Sequence, residues 1–274
     1  MSGSDADQVF TGSIPVLYER CLVPLIFEPY AVDLAERVTA QPGARVLEIA
    51  AGTGVATRAM ASVLDDGVSI VAMDLNQAML DHASEIGTSR PVEWRQADAM
   101  RLPYEDGAFD LVVCQFGVMF LPDKAKGFSE ARRVLRPGGV FLFSVWDRIE
   151  DNEFADTVTT ALATVFPKDP PRFLARTPHG YHDVAAVERD LRAGGFSSSP
   201  DITTVALRSR AASAREPALA YCQGSPLRAE IEARGTSGLD LGEATDFAAA
   251  AVARRFGTGP VDGKMQAHIV VVER

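Results

Sequence analysis

The chain has 274 residues, of which 47% are hydrophobic and 23% are charged, and its formal net charge is −10. A chain of this length and composition buries a hydrophobic core without metals or disulfides, which excludes wholesale disorder. The acidic balance argues against a protein that grips nucleic acid, because such binding depends on clustered Lys and Arg. The three cysteines, Cys21, Cys114 and Cys222, are far apart and fit neither a metal site nor a redox motif. This spacing favours a reducing compartment.

Two further features favour a cytoplasmic location. The first residues, Met1 to Asp7, carry acidic groups and no basic stretch, unlike a secretory signal peptide. The sequence contains no apolar run long enough to cross a membrane. We therefore expect a cytoplasmic protein that has neither a membrane nor a nucleic acid as partner.

Taken in chain order, residues 14–39 predict one or two apolar helices, broken near Pro24 and Pro29. From residue 45 onwards, short apolar strands alternate with helices. The predicted strands are Arg45–Ala50, Val68–Asp74, Val92–Ala97, Phe109–Gln115 and Val140–Trp146. The predicted helices are Val55–Leu64, Gln77–Ile86 and Ala125–Leu135, the last stopped by Pro137-Gly138-Gly139. This alternation predicts a doubly wound, Rossmann-like α/β fold with a mostly parallel sheet and helices on both faces.

Beyond Trp146 the pattern is less regular. It predicts helices at Asn152–Val165 and Val184–Ala193, and strands at Ile202–Leu207 and Met265–Val272, which bring the sheet to seven strands. Residues 211–262 are Ala-rich with helical spacing, and they are much longer than an ordinary connection between two strands. We therefore expect an N-terminal helical cap (1–40), a core (41–210 and 263–274) and a helical insertion (211–262) that serves as a lid over the acceptor.

The most informative segment is the turn after the first strand, with the sequence VLEIAAGTG from Val46 to Gly54. Its small residues let backbone amides approach a ligand at a helix N-terminus. Glu48 lies inside the strand, an unfavourable place for a carboxylate unless positive charge is nearby. Asp74 ends the second strand, and Asp98 lies at the end of the third. Since open α/β sheets bind ligands at the carboxyl ends of their strands, these acids predict a binding site there.

The segment from Arg45 to Trp146 resembles class I S-adenosylmethionine-dependent methyltransferases, particularly the subgroup that includes ubiquinone and menaquinone biosynthesis enzymes. The landmarks are VLEIAAGTG, VAMDLNQAML, QADAMRLPYEDGAFDLVVCQFGVMF and ARRVLRPGG, in order and at the family's spacing. Outside this segment the likeness is general. The resemblance implies a sheet that ends in an antiparallel hairpin, formed by the last two predicted strands. It also implies S-adenosyl-L-methionine as cofactor and S-adenosyl-L-homocysteine as product.

The resemblance also implies the roles of individual residues. The loop around the methionine part of the cofactor would comprise Glu48, Ala50, Gly52 and Gly54. The ribose would bind Asp74, and Met79 or Leu75 would pack near the adenine. Asp98 would accept from the adenine amino group, while Ala99 and Met100 would flank the ring. The reactive methyl group would face Gln115 and Phe116. The family's first loop glycine is Ala50 here. Because a methyl group is small, we expect the loop to bind the cofactor with at most a slight shift.

A catalytic base is harder to identify. His179 and His182 lie in a turn with Tyr181 between them, and histidine titrates near neutral pH, so these three residues are the candidates for a base. The alternative is that they are ordinary loop residues. A zinc site would need further ligands that the neighbourhood does not offer, so we expect no metal. His268 in the last strand can be either a core residue or a site residue.

The sequence therefore predicts methyl transfer to a small organic acceptor, with O-, N- and C-methylation all open. A nicotinamide-dependent oxidoreductase is a weaker alternative, because Thr57 occupies the third glycine position of the dinucleotide fingerprint. A protein that binds the same cofactor without transferring methyl groups is a second alternative. An RNA methyltransferase is disfavoured by the acidic charge. The oligomeric state is open.

Overall fold

The computed structural model describes residues 14–235 and 239–274. The expectation about a signal peptide at Met1 to Asp7, the start of the expected N-terminal cap and three residues of the expected insertion lie outside the described residues.

The described chain forms a seven-stranded sheet with helices. The strands are β1 (Arg45–Ile49), β2 (Ser69–Asp74), β3 (Glu93–Gln96), β4 (Phe109–Gln115), β5 (Leu135–Trp146), β6 (Asp201–Ala211) and β7 (Val261–Glu273). The helices are α1 (Ile14–Leu17), a π-helix (Tyr18–Phe27), α2 (Glu28–Arg37), α3 (Val55–Val63), α4 (Gln77–Ile86), α5 (Lys124–Val134), α6 (Glu153–Val165), α7 (Phe173–Arg176), α8 (Val184–Ala193), α9 (Arg215–Gln223), α10 (Leu227–Arg234) and α11 (Leu241–Phe256). Short 3-10 turns lie at Val118–Phe120 and Ile149–Asp151.

The sheet has the strand order β3-β2-β1-β4-β5-β7-β6. The first five strands pair in parallel, and β7 runs antiparallel to β5. Parallel strands need crossover connections, which α3, α4 and α5 provide. The predicted fold class, a doubly wound and mostly parallel seven-stranded sheet, is confirmed.

The N-terminal segment differs from the prediction of a break near Pro24. The helix continues through this residue as a π-helix, in which Pro24 is an internal position. Proline has no N–H and clashes with the carbonyl one turn earlier, and the wider hydrogen-bond spacing of a π-helix accommodates it without ending the helix. The predicted break near Pro29 is also absent, since α2 follows the π-helix directly and Pro29 lies inside this uninterrupted run of helix.

The strand predicted to begin at Val140 begins five residues earlier. Helix α5 ends at Val134, and Leu135 already pairs with Phe109 of β4. The pairing register then shifts between Phe109 and Leu111. Pro137-Gly138-Gly139 therefore forms an irregular start of β5 rather than a loop, because Pro and Gly are compatible with bulges where regular pairing is interrupted.

The chain divides into two compact units. The sheet unit comprises residues 28–146, 181–205 and 267–274, and the helical unit comprises the described residues up to Phe27, 147–180 and 206–266. Within the sheet unit, Phe128 of α5 packs on Phe143 of β5 at 5.4 Å between ring centroids, and Phe141 lies 4.7 Å from Phe143. All three are fully buried. Such aromatic burial supplies much of the driving force for folding a sheet against its helices.

The helical unit contains the long insertion between β6 and β7. Helices α9, α10 and α11 form there, and the first two are separated by a turn at Gly224 to Pro226. Helix α11 begins with a capping box in which Asp240 and Glu243 each accept the other's backbone N–H. In the described part of the chain, the helices are all too short or too polar to span a membrane.

Candidate active site

The sheet changes direction between β1 and β4. From β1 the chain winds outward through β2 to β3, and it then returns to the other side of β1 to form β4. The loops after these two central strands therefore separate and leave a crevice at the carboxyl ends of the strands. Open α/β sheets bind their ligands at such a point.

The loop after β1 is held in an unusual backbone conformation. Ala50, Gly52 and Gly54 all have positive φ values, of 56°, 57° and 83°. Gly54 is required for a second reason, since a Cβ there would lie 2.8 Å from the Trp94 ring. The loop is anchored to the neighbouring strand by the Ala51 N–H, which donates to the Met73 carbonyl at 2.8 Å. These contacts hold the loop against β2 and the start of α3.

Ala50 departs from the family's glycine, and the structure shows the consequence. Its left-handed backbone is unfavourable for a residue with a Cβ, by roughly 1–2 kcal/mol. Its methyl group lies against Gly117, where an added Cβ would be only 2.5 Å from the Ala50 Cβ. The loops after β1 and β4 thus approach each other closely, and the side chain absent from Gly117 makes room for Ala50.

Glu48 is a buried carboxylate beneath this loop. Its side chain is 1% exposed, and the Thr57 hydroxyl donates to its Oε2 at 2.5 Å. Burial raises the pKa of the Glu48 carboxyl to about 8, while the hydrogen bond from Thr57 acts in the opposite direction. The negative charge of Asp74 raises this pKa further, and the cation Arg58 lowers it. The site therefore holds a carboxyl group for which burial outweighs the stabilising effects of Thr57 and Arg58 on its charge.

Asp74 lies at the end of β2, on one side of the crevice. Its Oδ2 accepts the Gly52 N–H at 2.8 Å, and its Oδ1 accepts the Asn76 N–H at 2.8 Å. Burial raises the pKa of the Asp74 carboxyl above its ordinary value, although these hydrogen bonds oppose the shift. The sequence predicts this carboxylate at an open strand end, yet in the structure it is only 8% exposed. It also orders the glycine loop.

The other predicted cofactor residues follow β2 and β3, so they lie beyond the carboxyl ends of these strands. Leu75 is 45% exposed, an unusual position for a large apolar side chain, whereas Met79 is buried. Asp98 is exposed, and its Oδ1 accepts the Met100 N–H at 2.8 Å. Ala99 and Met100 are half-buried. The Gln96 side chain donates to the Leu75 carbonyl at 2.9 Å, which joins the two strand ends.

The end of β4 carries Gln115 and Phe116, both buried. Phe116 has a φ of 53°, the second left-handed residue with a Cβ in the described chain. Its ring stacks on Trp146 at 3.8 Å, with 4° between the ring planes. Tyr30 meets both rings edge-on, at 5.2 and 5.3 Å. Strained residues persist where the surroundings over-determine them, and they cluster at functional sites.

The three candidate bases have different environments. His179 is buried, and its Nδ1 lies 2.8 Å from the Asp147 carbonyl oxygen, within the helical unit. His182 is exposed. In the sheet unit, the Tyr181 hydroxyl donates to Asp190 at 2.7 Å, and its ring lies 5.2 Å from the Lys124 ammonium. Burial and Asp190 raise the pKa of Tyr181 well above its ordinary value, so this hydroxyl keeps its proton near neutral pH.

Sequence reasoning missed several residues that the site depends on. Thr57 was noted only for breaking the dinucleotide fingerprint, yet it is the hydrogen-bond donor to Glu48. Trp94 and Trp146 were not singled out, and they pack against Gly54 and Phe116. The position of Thr57, in the first turn of the helix that follows the Glu48 strand, was the available signal.

His268 is a buried residue of β7, and its Nδ1 lies 2.9 Å from the Thr204 hydroxyl.

Within residues 14–235 and 239–274, no group of three His, Cys, Asp or Glu side chains is arranged to hold a metal ion.

Comparison with known proteins identifies relatives of this chain. Residues 47–143 match the family model described as "Methyltransferase domain". A demethylmenaquinone methyltransferase from Mycolicibacterium gilvum is 33% identical over 59% of this chain and 72% of its own length. A ubiquinone/menaquinone biosynthesis C-methyltransferase from Ectopseudomonas mendocina is 40% identical, over 37% of this chain and 41% of its own length. The chain thus spans well under half of this second relative.

Among solved structures, the phosphoethanolamine N-methyltransferase 2 of Haemonchus contortus in complex with S-adenosyl-L-methionine has a TM-score of 0.57 to this protein. The match has 17% identity and covers 94% of this chain and 56% of that one. This likeness confirms the fold.

We expect Ala50→Gly to stabilise the free protein by about 0.5–1 kcal/mol. Glycine removes the left-handed strain of roughly 1–2 kcal/mol, less about 0.5–1 kcal/mol for the added freedom of the unfolded chain. The free energy of unfolding in urea measures the change. Ala51→Gly is the matched control, since that residue has no positive φ and is buried, so the same substitution there should destabilise. Equal effects at both positions would show that Ala50 is not strained.

We expect Glu48→Gln to stabilise the free protein more at pH 8 than at pH 5. The folded pKa of Glu48 is about 8, above the ordinary value of 4.5, so the folded state keeps a proton that the unfolded state releases. The contribution of Glu48 to stability is complete below pH 4.5 and is lost as pH rises towards 8. Glutamine does not titrate, so its advantage grows across this window. Thermal unfolding at several pH values tests this, and a pH-independent difference would contradict it.

Proposed function

We propose that the crevice after β1, β2 and β4 is the cofactor site of this protein. The chain belongs to the family of class I S-adenosylmethionine-dependent methyltransferases. It therefore transfers a methyl group from that cofactor to a small molecule. The observation that carries this proposal is the left-handed loop from Ala50 to Gly54, closed by Asp74. The residues that would hold the cofactor are Glu48, Ala50, Gly52, Gly54, Asp74, Leu75, Met79, Asp98, Ala99, Met100, Gln115 and Phe116.

The residues present fit the chemical groups of S-adenosylmethionine. Helix α3 begins at the loop with Gly54 as its N-cap, and this position has no side-chain cap. The N–H groups of its first turn therefore suit the cofactor's carboxylate. Two buried carboxylates, Glu48 and Asp74, suit a ligand with positive charge and ribose hydroxyls. The exposed Leu75 offers an apolar surface to the adenine ring.

Bound S-adenosylmethionine supplies a methyl group that is already activated by its positively charged sulfur. The chain's own task is to align an acceptor with that methyl group and to exclude water. Phe116 and Trp146, stacked and buried at the ends of β4 and β5, keep the crevice dry on that side. The strained backbone of Phe116 fixes its direction relative to the loop after β1.

The acceptor determines whether a base is needed. An oxygen or nitrogen acceptor loses a proton on methylation, whereas an activated carbon can lose it in a later step. Tyr181 retains its proton, so His179 and His182 are the candidates for a base, and His179 is the buried one. We propose a small organic acceptor. We also propose that residues 211–262 are the acceptor lid, because so long an insertion in a compact domain is usually functional.

We expect S-adenosylhomocysteine to bind the protein and NAD not to bind. Asp74→Ala should weaken S-adenosylhomocysteine binding by about 1.5–3 kcal/mol, the usual worth of hydrogen bonds to a charged group. Isothermal calorimetry measures both. Because Asp74 also accepts the Gly52 N–H, Asp110→Ala is the matched control. Asp110 accepts the Arg45 N–H at 2.7 Å at the amino ends of the strands, so its loss should affect folding but not affinity. Saturable NAD binding alone would overturn the assignment.

We expect radiolabelled methyl groups to move from S-adenosylmethionine to a small acceptor when the protein is present. A panel of phenols, amines and activated-carbon compounds should begin with demethylated quinols, since the relatives' names refer to quinones. Glu48→Gln and Asp74→Ala should lower the rate, and heat-denatured protein gives the background. Tight cofactor binding with no labelled product from any class would favour the alternative of a binding protein that transfers no methyl group.

A further inference from the structure

The charge of the Glu48 side chain can affect which ligand the proposed cofactor site prefers. We propose that Glu48 selects the positively charged cofactor over its neutral thioether product, and that it does so only while it is ionised. The site would then bind S-adenosylmethionine with release of a proton and would take a proton up again once the sulfur is neutral. This inference rests on the proposed cofactor site.

The first argument is the balance of charge around the carboxylate. Glu48 and Asp74 are 1% and 8% exposed at the ends of adjacent parallel strands. The groups near them are Arg58 of α3, which lowers the pKa of Glu48, and Cys114 of β4, whose thiol stays neutral because burial raises its pKa to about 12. The negative charge of Asp74 raises the pKa of Glu48 and so opposes the effect of the Arg58 guanidinium, whose Nη1 also donates to the Thr53 carbonyl at 2.6 Å.

The second argument is that the geometry keeps Glu48 in place in either protonation state. The Thr57 hydroxyl donates to Oε2 at 2.5 Å, and an oxygen of either a carboxylate or a carboxylic acid accepts such a bond. Protonation therefore changes the charge beneath the loop without releasing the side chain. A buried charge interacts strongly with another charge at short range, because the surroundings have a low dielectric constant.

The two ligands differ mainly in this charge. S-adenosylmethionine carries a positive sulfur, and S-adenosylhomocysteine does not, while both have the same amino, carboxyl and adenosine groups. In methyl transfer the acceptor's electron pair forms the new bond to the methyl carbon, and the old bonding pair stays on sulfur, which becomes neutral. An ionised Glu48 therefore favours the substrate form, and a protonated Glu48 loses this preference. Release of the product is assisted by proton uptake from solvent.

The test is the ratio of the dissociation constants of S-adenosylhomocysteine and S-adenosylmethionine between pH 6 and 9, measured by calorimetry. The positive sulfur of S-adenosylmethionine lowers the pKa of its own amino group relative to that of S-adenosylhomocysteine, so the profile of Glu48→Gln is the reference for titration of the ligands themselves. We expect the ratio to rise with pH by up to about tenfold per pH unit below pH 8 and then to level off. Sinefungin, a stable analogue with an amine near the position of the methyl group, should follow S-adenosylmethionine. Calorimetry in buffers of different ionisation enthalpy should show proton release for S-adenosylmethionine near pH 7.

Three variants sharpen the test. Glu48→Gln should abolish the rise that Glu48 causes and leave only the pH dependence of the ligands themselves. Thr57→Val removes a hydrogen bond that lowers the pKa of Glu48, so the rise in the ratio should move to higher pH, whereas Thr57→Ser should restore the wild-type profile. Glu130→Gln is the matched control, since this buried glutamate is paired with Arg133 beneath a different loop. It should leave the pH profile of the ratio unchanged.

The outcomes separate this inference from the proposed function. If neither ligand binds at any pH, the cofactor site itself is wrong. If both bind and the wild-type ratio stays constant with pH, the site is right and Glu48 does not discriminate. A rise in the ratio that is as large in Glu48→Gln as in the wild type would assign the effect to another group and overturn the proposal.

Discussion

The backbone between Ile49 and Val55 enters the left-handed region three times, and one of these residues carries a side chain. Such a path is stable only if neighbouring groups hold it, because an isolated chain would relax into ordinary conformations. Here the Asp74 carboxylate and the Met73 carbonyl accept N–H groups from the loop, and Gly117 leaves room for the Ala50 methyl group. The start of α3, the position of Glu48 and the shape of the crevice all depend on this arrangement.

The same arrangement explains why carboxylates are buried at this end of the sheet. Burying a charge without a partner is unfavourable, and a protein ordinarily avoids it or neutralises the group. Asp74 is held as an acceptor for the loop, and the Thr57 hydroxyl donates to Glu48; under the proposed function, a cationic ligand suits both carboxylates. The charge of Glu48 therefore costs stability in the free protein, a common relation between stability and function at binding sites.

Three aromatic residues pack together within the sheet unit. Tyr30, Phe116 and Trp146 come from three separate segments of the sheet unit and meet with their rings within 5.3 Å of one another. The Tyr30 hydroxyl donates to the Val205 carbonyl at 2.9 Å, so even this buried polar group is satisfied. These buried rings form a rigid group whose position is fixed by contacts among the three segments.

The sequence by itself determined the order of strands and helices from Arg45 to Trp146, because period-two and period-3.6 apolar patterns are local properties of the chain. It also determined the position of the glycine loop and of the acids at the strand ends. It could not determine that Pro24 lies inside a continuous π-helix or that β5 begins at Leu135, since both depend on packing and pairing with distant segments. Only the tertiary structure shows that Thr57 contacts Glu48, Trp94 contacts Gly54 and Gly117 contacts Ala50. These contacts join different elements, and the spacing of two residues along the chain does not determine their distance in space.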